Sequence, residues 1–281
     1  MANTLVQDLI EAGIHFGQRS AGWNPKMAPF IYGKRNGIHI IDIKETIKGL
    51  LLAKKYIAKT VAEGKDVCFV GTKRQAKNVL EARVPDVKMH TVTERWLGGT
   101  LTNFRTIRSR LKRLDELEAI EKSESFAKYS KKMESQLKRE RRKISRNLEG
   151  IRHMEKLPGV LVVIDVRREL TALKEARKLG IPTICLIDTD GDPELADIPI
   201  PGNDDSMRSI DVVVRELCLA IAEGKQQREQ AKSGPEESPA PTGDQAAAPR
   251  RSRRTQFRAD DASSAGEKPG PVAPAGSAAG A

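Results

Sequence analysis

Four aspartates stand where two apolar runs end. Asp165 follows the run 159–164, and Asp188, Asp190 and Asp192 follow the run 181–187. In open α/β sheets ligands sit outside the carboxyl ends of strands, so an acidic cluster there could hold magnesium, as in phosphatases. The spacing does not fit an EF-hand loop, because Pro193 stands at the glycine position and no Glu closes the loop. No His or Lys lies nearby in sequence to complete an acid–base pair. Turns and helix caps account for the same acids more simply, as in Asp190-Gly191 and Asp192-Pro193. The segment Gly71-Thr72-Lys73-Arg74 follows an apolar run and opens a helix, a weak candidate for a phosphate cradle. It lacks both the P-loop and the dinucleotide-binding glycine spacing. No catalytic residue, metal ligand or cofactor is assigned. A metal-dependent phosphatase or nucleotide-binding enzyme stays open as the alternative.

The second chemistry is cationic. The 281 residues carry 49 Lys and Arg against 38 Asp and Glu, a formal net charge of +11. Such a balance favours a polyanionic partner. The basic residues are clustered: Arg19, Lys26, Lys34 and Arg35 alternate with aromatics near the N-terminus, and Lys138, Arg139, Arg141, Arg142, Lys143 and Arg146 crowd one later stretch. Guanidinium groups pair with phosphate and flat rings can stack on bases, so interleaving of this kind suits RNA. The three cysteines, Cys68, Cys185 and Cys218, lie apart inside apolar segments and read as reduced core residues. His15, His39, His90 and His153 sit on separate elements. No stretch approaches the ~20 apolar residues of a membrane span, and no secretory signal is visible.

The elements that must position these groups follow an α/β rhythm. A short helix is expected over 3–13, with Leu5, Leu9 and Ile10 on its apolar face and Gly13 at its end. An irregular arm, held extended by Pro25 and Pro29, runs to residue 36. Strands are expected over 38–43, 66–71, 87–92, 159–165 and 181–188, with helices over 44–63, from 72 onward, over 169–179 and over 210–222, the last closed at Gly224. Repeated strand–helix units imply a parallel sheet covered by helices on both faces.

That rhythm breaks at Arg95-Trp96-Leu97-Gly98-Gly99-Thr100-Leu101-Thr102-Asn103-Phe104-Arg105. A two-glycine turn reaches backbone angles closed to other residues, so it marks a sharp exit from the sheet. Asn103 is placed to cap the helix that Phe104 begins. Burial under the turn suits Trp96 better than stacking on a base. Phe104, Ile107, Leu111, Leu114 and Leu117 then recur at helical spacing. Phe126, Tyr129, Met133, Leu137, Ile144, Leu148, Ile151 and Met154 make a second stripe, and a polar turn at 122–125 folds the two into an antiparallel hairpin. From Lys225 onward Pro, Ala, Ser, Gly and Gln dominate, the composition of a disordered tail. Within it, Arg250-Arg251-Ser252-Arg253-Arg254 could add non-specific RNA affinity.

With these residues assembled, the chain resembles the bacterial small-subunit ribosomal protein two family, the S-two family, from about Leu5 to Gly224. The resemblance rests on the motifs Ala12-Gly13-Ile14-His15-Phe16-Gly17, Trp23-Asn24-Pro25-Lys26-Met27, Phe69-Val70-Gly71-Thr72-Lys73, Arg95 to Asn103, and Ile200-Pro201-Gly202-Asn203-Asp204-Asp205. It implies a flavodoxin-like three-layer α/β/α core with an inserted coiled-coil hairpin. The expected divisions are 1–36 for the arm, 37–103 and 157–224 for the core, 104–156 for the hairpin and 225–281 for the tail. It also implies a cytoplasmic, non-enzymatic place in the small ribosomal subunit, between head and body. The expected partners are 16S-type ribosomal RNA and neighbouring proteins including ribosomal protein one, with neither membrane nor DNA among them. A second histidine common in the family is Gln18 here. The expected RNA contacts are Arg19, Lys26, Lys34, Arg35, Lys73, Arg74, Arg95, Asn103, Arg105, Arg108 and Arg110.

Overall fold

The computed structural model describes residues 2–123 and 129–233. Phe126, the centre of the polar turn, and the Pro- and Arg-bearing tail from residue 234 lie outside the described residues. After helix α1 (Ala2–Glu11), the arm is not irregular but a small sheet. Strands β1 (Phe16–Arg19), β2 (Ile31–Arg35) and β3 (Ile38–Ile41) pair antiparallel in the order β1-β3-β2. Asn36 and Gly37, both at positive φ, join β2 to β3, the two-residue turn whose twist matches a hairpin. The strand expected to begin the core therefore belongs to the arm. Its alternating burial, with His39 and Ile41 inward, suits a sheet solvated on one face. In α1, Leu9 is buried but Ile10 faces solvent.

Helix α2 (Ile43–Ala62) starts at Asp42, whose carboxylate accepts the Lys44 N–H. Strand β4 (Val67–Val70), helix α3 (Arg74–Arg83) and the short strand β5 (His90–Val92) follow. Next come helices α4 (Phe104–Lys122) and α5 (Lys131–Leu148), then strand β6 (Val160–Ile164), helix α6 (Leu170–Leu179), strand β7 (Thr183–Ile187), strand β8 (Ile198–Pro201) and helix α7 (Met207–Ser233). Strands β4 to β8 form one parallel sheet in the order β5-β4-β6-β7-β8. Counted within that sheet the order is 2-1-3-4-5, the flavodoxin-like winding. β8 was not among the expected strands, and it carries Pro199 and Pro201. It is tolerated at the sheet edge, where one row of N–H donors is not needed.

Side chains alternate along the strands, so two cores form. Val67, Phe69, Val160, Val162, Ile164 and Leu186 pack toward α1, α2, α3 and α7. Cys68, Val70, Leu161, Val163, Cys185 and Ile187 pack toward α6 and the base of the α4–α5 pair. The cysteines are free and buried, and burial pushes the thiols of Cys68 and Cys218 up to about 12 and about 11. Among the described residues no helix is long and apolar enough to cross a membrane.

The stripe on α4 is buried as spaced, at Ile107, Leu111, Leu114 and Leu117. On α5 it fades toward the start of the helix: Leu148 is buried, Leu137 and Ile144 are half-buried, and Tyr129 and Met133 are exposed. A helix with one partner buries little away from the sheet, which supplies the rest of the core near Ile151 and Met154. Contacts of α4 with α5 and with the segment that follows it pair the start of one with the end of the other. Arg108 donates to the Met154 carbonyl at 3.0 Å, Arg152 reaches Asp115 and Glu118 at 2.6 and 2.8 Å, and Arg141 reaches Glu121 at 3.0 Å.

Helix α7 does not stop at Gly224 but continues to Ser233, where the tail was expected to have begun. Gly224 is a point of close approach to α2: a Cβ there would lie 2.6 Å from the Ala58 carbonyl oxygen and 3.0 Å from the Val61 Cβ. At an unconstrained helix position Gly→Ala gains about 1 kcal/mol. Gly224→Ala is instead expected to cost about 2 kcal/mol, the scale of overpacking, which urea denaturation would read directly. A stabilised variant would show that α7 can move away freely.

Candidate nucleic-acid interface

The cations expected to meet RNA fall into two groups. Arg19 at the end of β1 and Lys34 and Arg35 at the end of β2 are exposed, as are Arg74, Arg95, Arg105 and Arg110. None of these side chains has a carboxylate partner among the described residues, so their charge is available to an outside anion. The hairpin turn at Asn36-Gly37 sets Lys34 and Arg35 beside the tip of the arm. An Asn-Gly pair between two strand-forming runs is itself a hairpin signal in the sequence.

The other group is engaged internally. Lys26 pairs with Asp192 at 2.9 Å and Glu194 at 2.5 Å, fastening the arm to the β7–β8 connection. Those bonds, to Glu194 and then Asp192, hold its ammonium above the ordinary lysine value. Arg108 is committed to the Met154 carbonyl. Asn103 stands at the cap position of α4, but its side chain makes no cap bond to a backbone N–H; its Oδ1 accepts the Thr106 hydroxyl at 2.8 Å instead.

Lys73 sits furthest from the expected role. Its ammonium lies 2.7 Å from Asp204, 2.5 Å from Asp205 and 3.7 Å from Asp165, with little of the side chain exposed. The Gln18 amide donates to Asp188 at 3.2 Å and also to Asp205. Carboxylate oxygens of Asp188, Asp204 and Asp205 approach within 4.8 Å of one another. This is the cluster that the strand-end aspartates hinted at, with different members. Asp190 is drawn away by Arg167 at 2.7 Å, and Asp192 caps a turn and holds Lys26. Asp204 and Asp205 were seen only as part of a motif, and no spacing in sequence links them to residue 73. Burial pushes Asp204 up to about 7 and Asp188 up to about 6, against the pull of their hydrogen bonds. Asp165 carries the cluster's backbone irregularity, with φ +71.

The turn after β4 is no phosphate cradle. The buried Glu169 carboxylate accepts the Thr72 N–H at 3.1 Å and the Thr72 hydroxyl at 2.5 Å, so the position is already filled by an anion.

A second buried acid organises the Arg95–Arg105 stretch. Glu175 of α6 accepts the Trp96 Nε1–H at 3.1 Å and the Gly99 N–H at 2.8 Å on one oxygen. Its other oxygen accepts the Leu101 and Thr102 N–H groups and the Thr102 hydroxyl at 3.0, 3.1 and 3.1 Å. Trp96 is thereby buried under the turn, as its place in the stretch suggested. Burial alone would raise the Glu175 carboxyl, but bonds from Thr102, Gly99, Trp96 and Leu101 outweigh it and hold the group below the usual range. Arg95 and Arg105 are exposed at the two ends of this clamped turn.

Comparison with known proteins gives the geometry a lineage. The family model for ribosomal protein S2 matches residues 9–224. The small ribosomal subunit protein uS2 of Rhodopirellula baltica is 54% identical over 241 residues, covering 86% of this chain and 92% of the relative. Its namesake in Salinispora arenicola is 45% identical over 240 residues, 85% and 86% of the two chains. The uS2c protein of Mesostigma viride is 45% identical over 225 residues, 80% and 99%. With the motifs, the 2-1-3-4-5 sheet and these matches in agreement, the chain belongs to the ribosomal protein S2 family.

Proposed function

We propose that the protein is a non-enzymatic structural constituent of the small ribosomal subunit, and that it binds small-subunit ribosomal RNA. The carrying observation is the set of exposed cations, without a carboxylate partner among the described residues, on three separate elements: Arg19, Lys34 and Arg35 on the arm, Arg74 on α3, and Arg95, Arg105 and Arg110 around the clamped turn. Contacts of this kind neutralise phosphates and fix position without reading sequence. Lys26, Lys73, Asn103 and Arg108 act differently in this reading, by holding the arm, the sheet edge and the start of α4 in place. The cytoplasmic ribosome is the proposed location, with neighbouring small-subunit proteins, including ribosomal protein one, as partners implied by the family. The α4–α5 pair is proposed as a coiled-coil insertion that carries part of the basic surface. The enzyme alternative would rest on Asp188, Asp204 and Asp205, and the Lys73 ammonium and Gln18 amide already satisfy those acids from within.

Sedimentation of a lysate through sucrose gradients tests the reading. The chain is expected to co-migrate with small subunits near stoichiometrically at low salt and to be released at high salt. Arg105→Glu combined with Arg110→Glu is expected to reduce incorporation severalfold without lowering the melting temperature, since neither side chain has a carboxylate partner among the described residues. A chain that stays at the top of the gradient at both salts would sink the ribosomal assignment.

A further inference from the structure

We propose that the exposed face of α2, together with the groove beside it, docks an acidic amphipathic helix of another protein. This goes beyond the ribosomal reading, which gives α2 no contact. The exposed residues of α2 are Lys44, Lys48, Leu51, Leu52, Lys55 and Lys59. Their spacing, i, i+4, i+7, i+8, i+11 and i+15, places all of them on one stripe of a 3.6-residue helix. At 1.5 Å per residue the stripe is about 22 Å long. Its middle is apolar, at Leu51 and Leu52, which are 54% and 56% exposed, and a pair of lysines stands toward each end.

The groove continues that apolar middle. It holds about 560 Å³ between α1, α2 and α7, and its apolar lining is Leu5, Val6, Ile47, Leu51 and Leu219. Leu219 is itself 49% exposed. The cations in the groove are already matched from within: Lys54 pairs with Glu216 at 2.8 Å and Arg215 with Asp8 at 2.7 Å. The first pair ties α2 to α7 and the second ties α7 to α1, so the three helices that shape the groove are held in register.

The remaining charges say what the occupant carries. On the α2 side the stripe has four lysines and no carboxylate. Lys48 pairs with Glu45, while Lys44, Lys55 and Lys59 have no ion-pair partner among the described residues. On the α7 side the rim carries Glu223, which also has no such partner there. An occupant that suits both edges sets carboxylates over α2 and turns a neutral edge toward α7. Phosphate would meet the lysines but gains nothing from Leu51, Leu52 and Leu219. A helix meets both demands at once: apolar side chains at i, i+3, i+4 and i+7 fill the groove, and acids along one flank face the lysines. An apolar centre bordered by charge is also the anatomy of protein interfaces.

The test titrates the full chain into a labelled synthetic helix of about 18 residues, read by fluorescence anisotropy. The helix carries leucines at i, i+3, i+4 and i+7 spacing with glutamates along one flank, and a counterpart carries lysines for the glutamates. The acidic helix is expected to bind at least about tenfold more tightly than the basic one. Equal binding of the two, or no binding of the acidic one, would overturn the proposal. Leu51→Gln with Leu52→Gln is expected to weaken the acidic helix about tenfold, because two apolar side chains lose their cover. Lys55→Gln with Lys59→Gln is expected to weaken it about threefold and to reduce its sensitivity to salt. Glu223→Gln is expected to tighten it about twofold. Lys131→Gln with Lys132→Gln, an equal charge loss at the start of α5, should change it less than about 1.5-fold; a loss as large as that of the α2 pair would reduce the effect to net charge and overturn the docking face. Neither 16S-type ribosomal RNA at matched ionic strength nor vesicles of phosphatidylserine and phosphatidylcholine should displace the helix, and displacement by either would assign the face to that polyanion instead. A wild-type chain that binds the acidic helix but does not sediment with small subunits would overturn the ribosomal reading and leave this one standing.

Discussion

Replacing Glu175 with alanine is expected to lower stability by about 4 kcal/mol, because several buried donors lose their acceptor at once and each unsatisfied group costs about 1–3 kcal/mol. The donors are the Trp96 indole and the Gly99, Leu101 and Thr102 N–H groups. For a chain of this size the melting temperature would fall by about 8–16 °C. Glu175→Gln keeps one acceptor oxygen but turns an NH₂ group toward the donors on the other side, so a loss of about 2–3 kcal/mol is expected. Acid titration separates a clamp from simple packing. The Glu175 carboxyl is held below its usual 4.5, so its contribution is present above that value and is lost as pH falls through the lower folded value. Glu175→Gln should therefore show a smaller loss of stability below pH 4.5 than the wild type. RNA binding should weaken with the clamp, since Arg95 and Arg105 are exposed at its two ends. A variant as stable as wild type would show that the turn holds itself.

The second large effect is expected at Lys73. Its replacement by methionine leaves Asp165, Asp204 and Asp205 without their ammonium. Removing one partner from a buried charge group costs about 3–5 kcal/mol. The loss should depend on pH in a direction the cluster dictates. Asp204 and Asp188 are pushed up from 3.8 to about 7 and about 6. Between 3.8 and those values the folded state holds more protons than the unfolded one, so stability falls as pH rises through that window. Without Lys73 the carboxyl of Asp204 moves higher still and the window widens. The deficit of Lys73→Met relative to wild type is thus expected to be largest near pH 8 and to shrink toward pH 5. Lys73 itself is raised above 10.5, so its own titration lies outside this range. Urea denaturation at the two pH values decides the matter; an equal deficit at both would mean that Lys73 acts through packing.

Much of this architecture is written in local pattern. Fully buried strands such as Val67–Val70 and Val160–Ile164 read as continuous apolar runs because both faces are covered. The stripe at Ile107, Leu111, Leu114 and Leu117 reads as a helix because 3.6-residue spacing puts those side chains on one side. The exposed cations of the arm and the turn were legible as residue types, and Trp96 as a buried ring. The arm's sheet was legible too, from Asn36-Gly37, but Pro25, Pro29 and the mixed polarity concealed it.

What sequence alone determined is which residues are apolar, which are charged and which segments must pair or coil, since those follow from spacing along the chain. What only the tertiary structure decided is which charges remain free. Lys73 and Lys26 look like their exposed neighbours in sequence, yet one is taken up by acids some 130 residues away and the other by the β7–β8 connection. Glu175 resembles a surface helix residue until the Gly98–Gly99 turn folds over it, and Gly224 resembles a helix stop until α2 lies against it. Each of these roles comes from the approach of segments distant in sequence, and hydrogen bonding, desolvation and steric contact act at a few ångströms in space, whatever the separation along the chain.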